Sequence, residues 1–413
     1  MTSTKMTKKL AEFLILADDF SGACEVSLPW SDHGFSTRIS LDYNRSTSQN
    51  TQQVVVADTD SRYLEPAAAY QRIGTLSQAD ATHTSIFKKI DSLWRGNINA
   101  ELKALVAQGY TLIIAGALPH LNRSVVNGRP LVDGQPLWDT DAWHVEANQA
   151  PDSIAQLLSG MESTNLQDPA TLDSDAGFTH QLATAAATHQ AVIVDCATDA
   201  DLRLIARTWL ALRADTQQRT QRSILVGTGA LNAALARELA AAAVPGSVAN
   251  EQNRPPISTG IRPLLSVVGS ASGPSGKQLD LAAQAGIPCA ETAEELPTPQ
   301  DGTPVILRAT RTKSTPTQVL EQLRSQVTSW LRTRPEADLF LTGGETARAV
   351  LDDLELTSLT PIKELEPGVV ICQASDGRLI GTKPGSFGSP NILTQALSTL
   401  RQLRAPLSQE TKQ

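Results

Sequence analysis

The sequence predicts an α/β protein of two domains, each a largely parallel sheet flanked by helices. Three observations lead there. Short β-rich apolar runs alternate with longer Ala- and Leu-rich segments of helical period, the pattern of parallel strands joined by helical crossovers. At 413 residues the chain is well past the roughly 250 to 300 at which a single core stops growing. A polar stretch carrying Pro255, Pro256 and Pro263 then interrupts the rhythm before it restarts.

In order, the first half offers strands at Phe13 to Ala17, Thr37 to Leu41, Val54 to Ala57, Ser85 to Ile90, Leu112 to Ala115, Ala191 to Cys196 and Ile224 to Gly227. Leu231 to Ala243 reads as an Ala-rich helix that stops at Pro245-Gly246. Residues 247–263 are the expected linker, which divides the chain into domains 1–246 and 264–413. The second half offers strands at Leu264 to Val268, Val305 to Leu307, Leu339 to Thr342 and Val369 to Cys372. Its helices are expected over Gly276 to Gln284, Thr317 to Leu331 and Ala347 to Asp353. With aromatics at 4%, both cores must be aliphatic.

Composition removes several functions. Hydrophobic residues at 41% and charged residues at 19% exclude overall disorder. A net charge of −8 gives no footprint for a polyanion, so nucleic acid is not expected as the partner. A few local cations can still build an anion pocket. The four cysteines, Cys24, Cys196, Cys289 and Cys372, form no C-x-x-C pair, which fits a reducing cytoplasm and argues against a zinc site. The apolar run after Lys5, Lys8 and Lys9 is short and is stopped by Asp18 and Asp19, so neither export nor a membrane span is expected. No histidine follows His189, which excludes a Ser-His-Asp site in the second half.

Chemistry-bearing residues cluster after predicted strands, where open α/β sheets bind ligands. Asp18 and Asp19 follow the first strand; one of them serves a helix cap well, and two exceed that need. Lys88-Lys89-Ile90-Asp91-Ser92-Leu93-Trp94-Arg95-Gly96-Asn97 is richer in charge and hydroxyl groups than a turn requires. Arg62 is the most isolated cation at the same edge, and an arginine grips a carboxylate through two parallel hydrogen bonds. Asn127-Gly128 and Asp133-Gly134 read as hairpin turns. In the second half, Gly269 to Lys277, Thr342 to Thr346 and Lys383 to Gly388 are three Gly/Ser loops of the kind that bring backbone N–H groups to phosphates. The first fails as a Walker loop, because Ala271 and Gln278 occupy required positions.

Taken in order, these motifs resemble the four-carbon acid sugar kinase family, the ATP-dependent threonate, erythronate and 3-oxo-tetronate kinases. A-D-D-x-T-G-A is similar to Ala17 to Ala23, K-I-D-S-x-x-R-G to Lys89 to Gly96, and G-R-T-V-V-x-G to Asn122 to Gly128. G-S-x-S is similar to Gly269 to Ser272, T-G-G-D-T to Thr342 to Thr346, and S-G-N-F-G to Pro384 to Gly388. Glu345, Ser386 and Pro384 depart from the family's Asp, Asn and Ser, and Trp138 to Pro151 lacks its D-P-x-x-P run. These departures bear on substrate identity.

The resemblance implies an N-terminal acid-sugar-binding domain, a C-terminal nucleotide-binding domain, and transfer of the ATP γ-phosphate to the terminal (4-) hydroxyl. It places Asp18, Asp19, Arg62, Lys89, Asp91, Ser92 and Arg95 toward the sugar acid. It places Ser270, Ser272, Gly343, Gly344, Glu345, Thr346 and Gly385 toward ATP. Arg62 with Lys89 or Arg95 is expected to hold the carboxylate, and Asp18 or Asp91 to receive the hydroxyl's hydrogen and act as base, the choice staying open. Mg²⁺ is expected to neutralise ATP, held mostly by phosphates and water, so no protein ligand is named. A homodimer is compatible with this reading. Two rivals remain: a non-catalytic acid-sugar sensor, which could dispense with the nucleotide loops, and a nicotinamide oxidoreductase, whose G-x-G-x-x-G is displaced by Asp18-Asp19-Phe20-Ser21-Gly22.

Overall fold

A computed structural model of the protein describes residues 13–42, 53–79, 85–143, 149–169, 174–214, 222–243, 256–270, 272–297, 302–310 and 315–405. Pro245-Gly246, most of the linker expected over 247–263, Ala271, and the tail beyond Ala405 lie outside the described residues. The chain forms two compact units. The first is Met1–Asp18, Pro29–Thr37 and Thr47–Glu251, and the second is Asp19–Leu28, Arg38–Ser46 and Gln252–Gln413.

Up to Gly227 the strands are β1 (Phe13–Ala17), β2 (Thr37–Ser40), β3 (Val54–Asp58), β4 (Ser85–Lys89), β5 (Tyr110–Ala115), β6 (Arg123–Val126), β7 (Arg129–Val132), β8 (Gln135–Pro136), β9 (Ser163–Leu166), β10 (Ala191–Val194) and β11 (Arg222–Gly227). Among the described residues up to Ala242 the α-helices are α1 (Phe20–Asp32), α2 (Pro66–Ala79), α3 (Ile98–Ala107), α4 (Ile154–Leu157), α5 (Asp175–Thr188), α6 (Asp199–Ala214) and α7 (Gly229–Ala242). Later come β12 (Leu264–Val268), β13 (Cys289–Ala290), β14 (Pro304–Arg308), β15 (Asp338–Thr342), β16 (Ser358–Glu366), β17 (Val369–Ala374) and β18 (Leu379–Lys383). With them come α8 (Gly273–Gln284), α9 (Pro316–Arg332), α10 (Gly344–Asp353) and α11 (Ile392–Arg404).

In the first unit the strands run β3-β1-β4-β11-β5-β10-β9, every pairing parallel. β1, β3, β4 and β5 are buried along their whole length, as apolar runs covered on both faces must be. Because β1 lies between β3 and β4, the chain leaves it to one side and returns on the other. That reversal opens a crevice at the C-terminal ends of β1 and β4. The core is aliphatic apart from a few large rings: Phe13 lies 4.8 Å from Trp30, whose indole N–H donates to Asn232 Oδ1 at 3.0 Å. A separate antiparallel sheet, β6-β7-β8, turns at Asn127-Gly128 and Asp133-Gly134, all four with positive φ, as the sequence leads one to expect.

In the second unit β13-β14-β12-β15-β18 is parallel. β17 and β16 continue it antiparallel, and Leu359 and Ser358 of β16 pair with Ile39 and Ser40 of β2. β12 repeats the arrangement of β1, with the chain reversing between β12 and β15. Its core joins Leu264, Phe340, Ile371 and Leu379 from the sheet to Leu393, Leu397 and Leu400 of α11. Helices α8 and α10 start three residues earlier than expected, at Gly273 and Gly344. Gly and Pro read as loop in the sequence, yet both are tolerated in a first turn whose N–H groups need no helical partner.

Candidate functional site

In the first unit, pairing of Ala17 with Asp58 and with Lys89 brings the ends of β1, β3 and β4 level. Asp18, Arg62 and the segment from Lys89 to Arg95 therefore meet. Arg62 donates from Nε to Asp18 Oδ2 at 2.7 Å, and its Nη2 lies 3.7 Å from Asp91 Oδ1. It is thus a cation shared by two carboxylates, not the isolated one the sequence suggests. Asp91 is further gripped by Arg95 through two bonds of 2.8 Å and accepts from the Leu93 N–H at 3.0 Å. The turn that presents Asp91 and Arg95 is held by Trp94, which has φ +63° and is buried. Its ring lies over Gly116, leaving no room there for a side chain.

Lys89 is buried and donates to the Ile90 carbonyl at 2.9 Å, while Ser92 accepts from Arg123 Nη1. Beneath them lies a layer that sequence reasoning missed. Lys88, fully buried, pairs with Glu101 at 3.0 Å, and Glu101 also accepts from Ser61. Asn97 donates to the carbonyls of Ser61 and Leu64, fixing the Arg62 loop from below. Nothing in the local sequence marks Arg123, which reaches this cluster from β6 through its bond to Ser92.

Burial pushes the Asp91 carboxyl up, but the Arg95 fork and the Arg62 charge more than reverse this and hold it well below the usual carboxylate range. Burial likewise raises Asp18, and Arg62, Lys88 and Lys89 outweigh it, so Asp18 also sits low. Both are ionised at neutral pH. Asp18 Oδ1 is buried and meets no hydrogen-bond donor among the described residues. Such an acceptor is costly to leave unpaired and is suited to a hydroxyl from outside.

In the second unit, Gly269 to Ser272 follow β12, Gly343 to Thr346 follow β15, and the Pro384 to Gly388 loop follows β18. Gly343 caps α10 with φ +97°, a conformation that favours glycine, and offers no side chain to the helix. The N–H groups of Gly344, Glu345 and Thr346 meet no acceptor among the described residues. Ser272 caps α8, accepting from the Ser275 N–H at 3.3 Å, and donates to the Gly385 carbonyl at 3.0 Å. Ser270 donates to Ser272 Oγ at 3.1 Å. Lys383, also without an assigned role in the sequence, is fully buried and donates to the carbonyls of Pro384, Gly385 and Phe387 at 3.0–3.2 Å.

A cavity of about 780 Å³ opens beside these loops. Polar lining comes from Ser270, Ser272, Arg308, Glu345 and Thr346, and apolar lining from Leu279, Val319, Leu320 and Leu323. The first turns of α8, α9 and α10 all border it, so three helix N-termini with their partial positive charge converge on one space. Anionic oxygens fit the donors and a flat apolar group fits the aliphatic walls.

Asp19 is not grouped with Arg62. It belongs to the second unit, where its Oδ1 accepts from the Gly22 N–H at 2.9 Å and its Oδ2 lies toward Gly344. Among the described residues no helix is long and apolar enough to cross a membrane, and no group of three His, Cys, Asp or Glu side chains is placed to hold a metal ion.

Two family models match the chain: a sugar-binding N-terminal domain over residues 13–235 and a nucleotide-binding C-terminal domain over residues 288–393. The chain is 31% identical to the D-threonate kinase of Cupriavidus necator across 95% of its length and 99% of the relative's. It is 26% identical to the D-threonate kinase of Salmonella typhimurium, covering 95% and 99%. Among solved structures, one described as a tRNA synthase from Salmonella typhimurium LT2 shares the fold with a TM-score of 0.77 at 19% identity, covering 93% of this chain and 98% of that one.

Proposed function

The chain belongs to the four-carbon acid sugar kinase family, and from that premise we propose that it transfers the γ-phosphate of ATP to the terminal hydroxyl of a four-carbon acid sugar such as threonate, erythronate or 3-oxo-tetronate. The observation that carries the reading is the first turn of α10, whose unpaired N–H groups border a cavity with aliphatic walls in the unit matched by the nucleotide-binding model. Phosphates suit the donors, and an adenine ring suits Leu279, Val319, Leu320 and Leu323. The D-threonate kinases that this chain resembles support the acid sugar as acceptor.

Phosphoryl transfer asks the protein chiefly to position two substrates and to neutralise charge on the moving group. In the first unit, Lys89, Arg62, Arg95 and Arg123 provide the positive surroundings for a small carboxylate. Asp18 Oδ1 accepts the hydrogen of a substrate hydroxyl and so orients it. Carboxylates held well below their usual range are weak proton acceptors, so Asp18 and Asp91 act by orientation more than by proton abstraction. Mg²⁺ accompanies ATP and supplies charge neutralisation on its phosphates.

The test is an ADP-release assay with Mg²⁺ and a panel of threonate, erythronate and both 3-oxo-tetronate enantiomers. Release with at least one of them is expected. Binding of an acid sugar without ADP release from any member would replace the kinase reading with the sensor.

A further inference from the structure

Asp18 and Asp19 are adjacent in sequence but have different neighbours. Asp18 pairs with Arg62 in the first unit, while Asp19 opens α1 within the second, next to Gly344. A Cβ built on Gly344 lies 3.0 Å from Ser21 Oγ and 3.5 Å from Asp19 Oδ2. Asp19 Oδ1 accepts from the Gly22 N–H and caps α1, while Oδ2 lies toward the start of α10. Ser21 is 6% exposed, and its hydroxyl has no hydrogen-bond partner among the described residues. A buried hydroxyl in that condition points to a missing ligand.

The N-terminus of α10 invites an anion, and a carboxylate set beside it repels one. The N-terminus itself favours the carboxylate, but once phosphates occupy the same place the two negative groups repel, and a cation between them turns that repulsion into shared coordination. Mg²⁺ is a hard ion that takes oxygen ligands and is commonly held by one or two carboxylates together with substrate phosphates. A serine hydroxyl with an aspartate is a donor pair other phosphate-binding loops present to it. The two side chains supply part of such a shell, and the nucleotide's phosphates and water suit the rest of it.

We infer that Asp19 Oδ2 and Ser21 Oγ hold the divalent cation that accompanies the nucleotide's phosphates at the N-terminus of α10. This rests on the reading of the second unit as the nucleotide site. It moves Asp19 from the acid sugar to the metal, and it requires that metal affinity depend on nucleotide.

The test uses the full chain and Mn²⁺ followed by electron paramagnetic resonance, with and without ADP, alongside calorimetry of ADP in EDTA. In wild type, Mn²⁺ binds tightly only when ADP is present. Asp19→Asn keeps the cap, since an amide oxygen still accepts from the Gly22 N–H. It should weaken Mn²⁺ in the ternary complex at least tenfold while leaving metal-free ADP affinity unchanged or higher. Ser21→Ala should weaken Mn²⁺ about threefold. Glu345→Gln is the comparison, and a loss confined to it would overturn the assignment. ADP binding with Mn²⁺ affinity indifferent to Asp19→Asn would overturn this proposal alone. No ADP binding to wild type would overturn the nucleotide reading and the proposal together.

Discussion

Arg62 Nε lies 2.7 Å from Asp18 Oδ2, with both side chains almost wholly buried. The guanidinium is therefore oriented before any substrate arrives, and a substrate carboxylate meets a donor that pays no entropy to be positioned. Lysine keeps the charge but cannot reproduce the fork. Arg62→Lys should raise KM for the acid sugar by roughly 10- to 150-fold, the equivalent of about 1.5–3 kcal/mol for a hydrogen bond to a charged group, and leave KM for ATP nearly unchanged. Steady-state kinetics in both substrates decides; a change confined to ATP would remove Arg62 from the acid-sugar site.

The depressed carboxyl of Asp91 ties stability to pH. In the unfolded chain an Asp titrates at about 3.9, whereas in the fold the Arg95 fork and Arg62 hold Asp91 well below that. The stabilisation is thus fully present above about pH 4 and is lost as pH falls through the lower, folded value. Thermal melting followed from pH 7 to pH 2 should show this loss, and Asp91→Asn should flatten it while costing about 1–3 kcal/mol at pH 7. An unchanged acid limb in Asp91→Asn would assign the acid sensitivity elsewhere.

Lys383 makes the opposite case, because burial lowers its ammonium to about 8, only partly opposed by Glu366. Below that pH it is charged and holds three carbonyls of the loop after β18. As pH rises through about 8 the charge goes, so nucleotide affinity should fall. Folding stability moves the other way, since between about pH 8 and 10 the unfolded chain keeps a proton that the folded chain has lost. Lys383→Met should weaken nucleotide binding at pH 7 and erase its alkaline fall. Calorimetry at pH 7 and pH 9 checks both, and a persisting fall in the variant would exclude Lys383 as its source.

Gly269 has no room for even a methyl group. A Cβ there would fall 2.0 Å from Thr346 Oγ1 and 3.0 Å from Thr346 Cβ. Gly269→Ala should therefore cost about 1–3 kcal/mol, as overpacking does, and should displace Thr346 from the cavity wall and weaken nucleotide binding. Denaturant unfolding and nucleotide titration of the same variant provide the measure; wild-type values in both would show that Thr346 yields without consequence.

How much of this was legible in the sequence depended on the kind of signal. β1 and β12 were readable to the residue, because a strand buried on both faces is an unbroken apolar run bounded by polar residues. β16 was not: Pro361, Lys363, Glu364 and Glu366 read against a strand, and only pairing with β17 explains it. That Asp18, Arg62, Asp91 and Arg95 lie together could be anticipated because each follows a strand of one sheet. Glu101 could not be, because its partners Lys88 and Ser61 come from elsewhere in the sequence and nothing local marks a buried carboxylate in a helix. The role of Asp19 is a matter of which neighbour its second oxygen faces, and spacing alone cannot express that.

The ladder between β16 and β2 bears on how the protein is made. Ile39 and Ser40 leave the ribosome some three hundred residues before their partners Leu359 and Ser358, so the second unit cannot close until nearly the whole chain has been synthesised. Its contacts span long sequence separations, which slow folding, and in the meantime β16 has an open edge able to pair with a stray strand. A segment starting at Leu264 would never acquire that partner or the first turns of α1, so it should be recovered largely as aggregate, whereas the same segment mixed with residues 1–263 during refolding should regain solubility.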